Sequence, residues 1–230
     1  MTNIKHIFFD LDHTLWDFEK NSSETLSELF DEFGLADKID NKEKFLATYQ
    51  SVNGIYWKKY RNGKIDKDTV RFGRFRDTLD RFNVKDPDVI GRQIGDEYVR
   101  RGPHKTNLFP HTHETLSYLK EKYPLHIITN GFKEVQFIKL SGSNLSQYFD
   151  IILCSEEVGK QKPHRLVFEK ALEMAKVDPF DALMIGDNYE ADILGAKKVG
   201  MQTIFFDPKN EGKHKHSKVI NSLLELKSLL

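Results

Sequence analysis

Three short apolar runs in this chain stop abruptly at polar residues: Ile7-Phe8-Phe9-Asp10, His126-Ile127-Ile128-Thr129-Asn130 and Leu183-Met184-Ile185-Gly186-Asp187. Each has the length and the continuous apolar character of a strand buried on both faces, the environment that a parallel sheet provides. Ile151-Ile152-Leu153-Cys154 and Thr203-Ile204-Phe205-Phe206 are two further runs of the same kind. Helix-period segments separate successive runs from residue 111 onward. That alternation predicts an α/β fold with a doubly wound parallel sheet, Rossmann-like, and helices on both faces. Ligands of such sheets sit beyond the carboxyl ends of the strands, where the strand order reverses. Asp10, Thr129 and Asp187 are therefore expected to meet in one crevice.

The stretch between the first two runs is far longer than a crossover helix and reads as helical throughout. Leu26, Leu29, Phe30 and Phe33 follow one helical stripe, and Phe45, Tyr49, Val52, Tyr56 and Tyr60 a second. Phe72, Phe75, Leu79 and Phe82 form a third, and a fourth helix carrying Ile90, Ile94 and Tyr98 is predicted to start with Asp86 as cap and Pro87 at its first position. Such a block can bury its stripes only against itself. It is expected as a helical bundle, residues 17–104, inserted into an α/β domain made of 1–16 and 105–230. Residues 209–218 read as a mobile polar loop before a last amphipathic helix from Val219 to Leu230.

The 230 residues are 39% hydrophobic, and 35 basic side chains balance 35 acidic ones. No net field draws the chain to a nucleic acid polymer or an anionic membrane, and no apolar window is long enough to span a bilayer. The single cysteine, Cys154, excludes an internal disulfide and a cysteine-rich zinc site. These features read as a soluble, cytoplasmic protein.

Asp10-Leu11-Asp12-His13-Thr14 places two carboxylates where a strand ends, and Gly186-Asp187-Asn188-Tyr189-Glu190-Ala191-Asp192 adds more from another strand end, with the glycine allowing a tight turn. Converging carboxylates repel one another by several kcal/mol and need a cation; an all-oxygen site suits Mg²⁺. Gly159-Lys160-Gln161-Lys162-Pro163 brings positive charge, with Pro163 expected at the first position of a helix that carries Phe168, Leu172 and Ala175. A lysine, the Thr129 hydroxyl and Mg²⁺ around an aspartate make a phosphate cradle, and an aspartate can serve as the nucleophile of phosphoryl transfer.

Together Asp10-x-Asp12-x-Thr14, Ile128-Thr129-Asn130, Lys162-Pro163 and Gly186-Asp187-x4-Asp192 resemble the four ordered motifs of the haloacid dehalogenase superfamily, across essentially the whole chain. The resemblance implies a Mg²⁺-dependent phosphohydrolase with Asp10 as nucleophile and Asp12 as general acid and base. It implies that Thr129, Asn130 and Lys162 bind the phosphoryl group. Asp10, Asp187 and the backbone carbonyl of Asp12 would ligate the metal, with Asp192 supporting that site from behind its ligands or through water. The helical insert is similar to the cap of the superfamily's first subclass. Two points stand out against the family pattern: His13 occupies a position that is often glycine, and Lys160 competes with Lys162, which is favoured because it directly precedes the proline.

Phe8-Phe9-Asp10-Leu11-Asp12-His13-Thr14-Leu15-Trp16, Tyr49-Gln50-Ser51-Val52-Asn53, Gly73-Arg74-Phe75, Ile128-Thr129-Asn130-Gly131-Phe132 and Ser155-Glu156-Glu157-Val158-Gly159 resemble the bacterial pyrimidine 5′-nucleotidases of the superfamily. The implied partner is a small phosphate ester, a uridine or thymidine monophosphate. Rival readings are a phosphatase for phosphoglycolate or a sugar phosphate, a phosphomutase, and a non-catalytic binding module. Asp12 argues against a dehalogenase, which needs no proton donor to an ester oxygen. His111, His113 and Glu114 read as a solvated first helical turn, His214 and His216 as loop residues, and Cys154 as a buried thiol. Tyr56, Trp57, Arg61, Arg71 and Arg74 are candidates for base or sugar contacts.

Overall fold

The computed structural model describes residues 3–212 and 218–230; His214 and His216 lie outside these. In chain order the strands are β1 (His6–Phe9), β2 (Leu125–Thr129), β3 (Phe149–Cys154), β4 (Ala182–Gly186), β5 (Gln202–Phe206) and β6 (Lys218–Ile220). The helices are α1 (Phe18–Glu32), α2 (Lys42–Arg61), α3 (Arg74–Asp80), α4 (Pro87–Arg101), α5 (Thr112–Lys120), α6 (Lys133–Gly142), α7 (Arg165–Ala175), α8 (Gly195–Lys197) and α9 (Leu226–Leu229). Two compact units result, Met1–Phe18 with Thr106–Leu230, and Glu19–Lys105.

In the first unit the sheet order is β3-β2-β1-β4-β5-β6, and every pairing is parallel. Strands β1 to β3 progress one way across the sheet and β4 to β6 the other, so the order reverses between β1 and β4. Alternate side chains of one strand serve opposite faces. Ile7 and Phe9 join Leu116, Leu119 and Leu226 on one side, whereas Phe8 joins Val167, Phe168, Ala171 and Ala196 on the other. The sheet is thus doubly wound, as the continuous apolar runs require.

Strand β6 and its surroundings differ from the expected loop and single helix. Among the described residues it has three residues, pairs only with β5 and buries only Ile220, so it is too short to show a sequence period. A turn at Leu223–Glu225, boxed by Ser222 and Glu225, then precedes the short helix α9.

The second unit is helical throughout. Leu26, Leu29, Phe30, Phe45, Tyr49, Phe75, Leu79, Ile94 and Tyr98 bury one another in a separate core. Helix α4 begins at Pro87, but Asp86 takes a left-handed conformation and makes no side-chain cap. The third stripe is broken by a π-helical turn at Thr69–Gly73, and Phe72 and Phe82 are only partly buried. Gly73 is needed there because a Cβ would lie 2.6 Å from the Tyr56 ring. Arg74 is buried between Tyr49, Phe75 and Tyr98, and it donates to Asn53 Oδ1 at 2.7 Å. Tyr56 donates to Asp77, Arg71 donates to Asp96 and the Trp57 ring packs against Tyr60, so four of the five suspected base-contacting residues have partners inside the unit.

Candidate active site

Four chain segments converge at the carboxyl ends of β1, β2 and β4. Asp10 follows β1 immediately, and its backbone N–H bonds Ile185 O of β4 at 2.9 Å. Thr129 is the last residue of β2, and Asp187 follows β4. Lys162 arrives from the segment between β3 and α7. It is 1% exposed, donates to Asp10 Oδ1 at 2.7 Å and to the Ile128 carbonyl at 2.6 Å, and lies 2.6 Å from Asp192 Oδ1. The contact with Asp192 is a buried ion pair. Lys160 is exposed. Of the two lysines, Lys162 is the one that lies beside Asp10 and Asp192.

Asn130 reaches this site through the lysine. Its side chain donates to the Lys162 carbonyl at 3.0 Å and accepts from the Lys162 N–H at 2.8 Å, fixing the backbone that carries the ammonium. Pro163 lies outside the following helix: α7 starts at Arg165, with His164 accepting from the Leu166 N–H as its cap. The expected proline at the first helical position is thus corrected.

Asp10, Asp187 and Asp192 each place a carboxylate oxygen within 4.8 Å of the others. Three acids share one ammonium, so their ionised forms together outnumber the positive charge beside them. Burial, with repulsion from Asp192 and Asp187, pushes Asp10 up to about 8 despite Lys162. Burial and Asp192 likewise push Asp187 up to about 8. Burial disfavours the Lys162 ammonium, but Asp10 and Asp192 outweigh it and hold its pKa above the ordinary 10.5. An all-oxygen donor set with surplus charge fits a hard divalent cation. Thr14 orients Asp187, accepting from its N–H at 3.1 Å and donating to its Oδ1 at 3.2 Å. Gly186 does not serve a left-handed turn. A Cβ there would lie 2.3 Å from Asp192 Oδ2, the oxygen that also accepts from the Asn188 N–H.

The side chain of Asp12 is bound elsewhere, to two residues that the sequence did not single out. Lys139 Nζ lies 2.6 Å from its Oδ1, and Gln136 Nε2 donates to its Oδ2 at 2.9 Å. Gln136 Nε2 also donates to Thr129 Oγ1 at 2.7 Å, and the Gly131 N–H donates to the same oxygen at 3.1 Å. With both lone pairs of Thr129 Oγ1 taken, its own O–H remains to donate. The sequence carries no signal for this pair, and the structure shows an inversion on α6. The helix buries Gln136 and Lys139 while Phe137 and Ile138 beside them are exposed.

His13 adopts φ 65°, the left-handed region that favours glycine, at a cost of about 1 kcal/mol. Its ring packs 4.8 Å from Phe18. His111 pairs with Glu114 and His113 with the Tyr148 hydroxyl, both at the surface. Cys154 is buried, and that burial pushes its thiol up to about 12.

A family model for haloacid dehalogenase-like hydrolases matches residues 7–206. Pyrimidine 5′-nucleotidase YjjG of Escherichia coli K12 is 31% identical over 228 residues, covering 97% of this chain and 96% of that protein. A ribulose-1,5-bisphosphate 5-phosphatase of Halopiger xanaduensis is 32% identical over 209 residues, covering 89% and 85%. Among solved structures, the magnesium-bound HAD-hydrolase YfnB of Bacillus subtilis superposes with a TM-score of 0.90 at 27% identity, covering 100% of this chain and 99% of that one. With the match spanning β1 to β5 and every motif residue at a strand end or facing one, the chain belongs to the haloacid dehalogenase-like hydrolases.

Proposed function

We propose that this protein is a Mg²⁺-dependent phosphomonoesterase acting on pyrimidine nucleoside 5′-monophosphates through an aspartyl-phosphate on Asp10. The observation that carries the chemistry is the buried cluster of Asp10, Asp187 and Asp192 around Lys162, with Asp12 held apart from it. Asp10, Asp187 and the Asp12 backbone carbonyl would hold Mg²⁺, whose chemistry is to neutralise charge on the phosphoryl oxygens. Lys162 and the free O–H of Thr129 bind that group and orient it toward Asp10. An Asp10 oxygen forms a bond to phosphorus while the ester P–O bond breaks, and the departing oxygen takes a proton from Asp12. Asp12 then takes a proton from water, whose oxygen attacks phosphorus and releases Asp10 and inorganic phosphate. Asp192 keeps Lys162 charged and in place.

The pyrimidine reading is supported by the nucleotidase that the chain matches along nearly its whole length. A second reading, a sugar-phosphate phosphatase, is supported by the bisphosphate phosphatase matched at similar identity. Among the described residues no helix is long and apolar enough to cross a membrane, in keeping with a small diffusible substrate. The test is phosphate release from uridine, thymidine, adenosine and guanosine monophosphates, sugar phosphates and phosphoglycolate, with Mg²⁺ and with chelator. Metal-dependent preference for uridine or thymidine monophosphate is expected. Preference for another ester discards the nucleotidase assignment, and full turnover in chelator discards the cation argument.

A further inference from the structure

Helix α6 presents a buried glutamine and a buried lysine to the site while exposing two large apolar side chains. Phe137 is 42% and Ile138 37% exposed, whereas Gln136 is 0% and Lys139 5% exposed. Burying an ammonium in place of a neighbouring isoleucine or phenylalanine reverses the usual economy of an amphipathic helix. The partners account for the inversion. Lys139 spans from the face of the Trp16 ring, 4.3 Å from its centroid, to Asp12 Oδ1 at 2.6 Å. Gln136 divides its two N–H groups between Asp12 Oδ2 and Thr129 Oγ1, and its own carbonyl oxygen is left buried with no partner. An unpaired buried carbonyl costs about 1–3 kcal/mol, so the amide is held in an orientation that packing alone would not select. Room for it exists only because residue 131 is glycine: a Cβ there would lie 2.2 Å from Gln136 Nε2.

We infer that Gln136 and Lys139 are positioning residues for proton transfer, fixing the plane of the Asp12 carboxyl and, through Gln136, the direction of the Thr129 hydroxyl. Each Asp12 oxygen accepts one of these donors and keeps a second lone-pair direction for the proton it exchanges. Lys139 acts on Asp12 alone. Gln136 acts on Asp12 and on the phosphoryl-binding hydroxyl, so the two variants should leave different kinetic signatures. The inference rests on the proposed role of Asp12 as acid and base.

The experiment compares Lys139→Met, Gln136→Leu and Asp12→Asn on three probes: p-nitrophenyl phosphate, whose leaving group needs little protonation, and phenyl phosphate and uridine 5′-monophosphate, which need it. Lys139→Met is expected to lower kcat/KM, which reports departure of the leaving group and not the later hydrolysis of the aspartyl-phosphate, about 10²-fold on the two poor leaving groups while changing it several-fold at most on p-nitrophenyl phosphate. Gln136→Leu should show the same leaving-group bias and also raise KM for all three probes. In an Asp12→Asn background, Lys139→Met should cost nothing further, since the group it positions is gone. Lys139→Arg, which keeps a cationic donor, should restore much of the loss. Retained kcat/KM on p-nitrophenyl phosphate certifies folding, and Lys139→Gln replaces Lys139→Met if the latter is insoluble. Equal losses on good and poor leaving groups, or a full additional loss in the Asp12→Asn background, overturns the inference while leaving Asp12 in its role. If Asp12→Asn itself shows no leaving-group bias, the reading of Asp12 falls, and this inference with it.

Discussion

The most demanding test of the acidic cluster concerns stability rather than turnover. Asp10 ordinarily ionises near 3.8, and burial beside Asp187 and Asp192 pushes it up to about 8 in the folded chain. The sign follows from proton counting: between those two values the folded state holds a proton that the unfolded state has lost, so stability falls as pH rises. At pH 7 the gap below the folded value is about 1 and above the unfolded value about 3, which at 1.36 kcal/mol per tenfold makes the metal-free fold about 4 kcal/mol less stable than an unperturbed aspartate would. Asp187 adds a penalty of the same sign, reduced because the first proton taken up relieves its neighbour. Replacing Asp10 with Asn removes this penalty and keeps an acceptor for Lys162, at a loss of about 1–2 kcal/mol for the weaker hydrogen bond. The net expectation at pH 7 in chelator is therefore a variant about 2 kcal/mol more stable than the parent and devoid of turnover.

The measurement is urea unfolding between pH 6.5 and 8. The two histidines that meet at β1 and β2 oppose this trend weakly. Burial lowers His6 from the ordinary 6.5 and lowers His126 to about 4, so both are neutral in the folded state, while their half-protonated unfolded forms at pH 6.5 make stability rise by only about 0.4 kcal/mol each up to pH 8. Trp16 reports on the unit that holds the site and Trp57 on the helical unit, so a Trp57→Phe background isolates the relevant transition. Over this window the parent should lose about 2 kcal/mol in chelator, or roughly 1 M in urea midpoint at a slope of about 2 kcal/mol per M. Asp10→Asn should lose less. Mg²⁺ should stabilise the parent increasingly as pH rises, because it replaces the retained protons. A metal-free parent whose stability is flat or rising over this range, or an Asp10→Asn variant less stable than the parent at pH 8, refutes the electrostatic account of the cluster.

Gly186→Ala should force Asp192 away from Lys162, costing about 1–3 kcal/mol of stability and most of the turnover, checked by thermal unfolding and phosphate release. Lys162→Met leaves Asp10 and Asp192 buried without a counter-charge and should cost about 3–5 kcal/mol at pH 8. That cost should shrink at pH 6.5, where Asp10 takes up a proton, and equal midpoints shifts at both pH values would contradict the pairing. Cys154 should resist iodoacetamide at pH 8 in the folded protein and react as one thiol in urea, as mass spectrometry would show.

What the sequence disclosed follows from which interactions are local. A strand buried on both faces has to be apolar at every position, so Ile7-Phe8-Phe9 and Leu183-Met184-Ile185 announce themselves, and the acids that end them are placed by the same observation. The fold class and the positions of Asp10, Thr129 and Asp187 are therefore legible without coordinates. Strand β6 is not, because a three-residue edge strand with one buried side chain carries no pattern. Gly186 was legible as a constraint but for the wrong cause: nothing local shows that Asp192 folds back over it within the distance of a missing Cβ. The same holds for Gly131 beneath Gln136. Gln136 and Lys139 are the instructive omission. In isolation, Gln136-Phe137-Ile138-Lys139 reads as a helix with Phe and Ile inward and its polar ends in water, and the structure has the reverse. A polar side chain is buried only where a partner across the fold repays its lost hydration, and that partner, Asp12, lies more than a hundred residues away. Where a helix turns its amide and ammonium inward against its own apolar pattern, the cause has to be sought in the group it faces, and here that group is the one assigned to proton transfer.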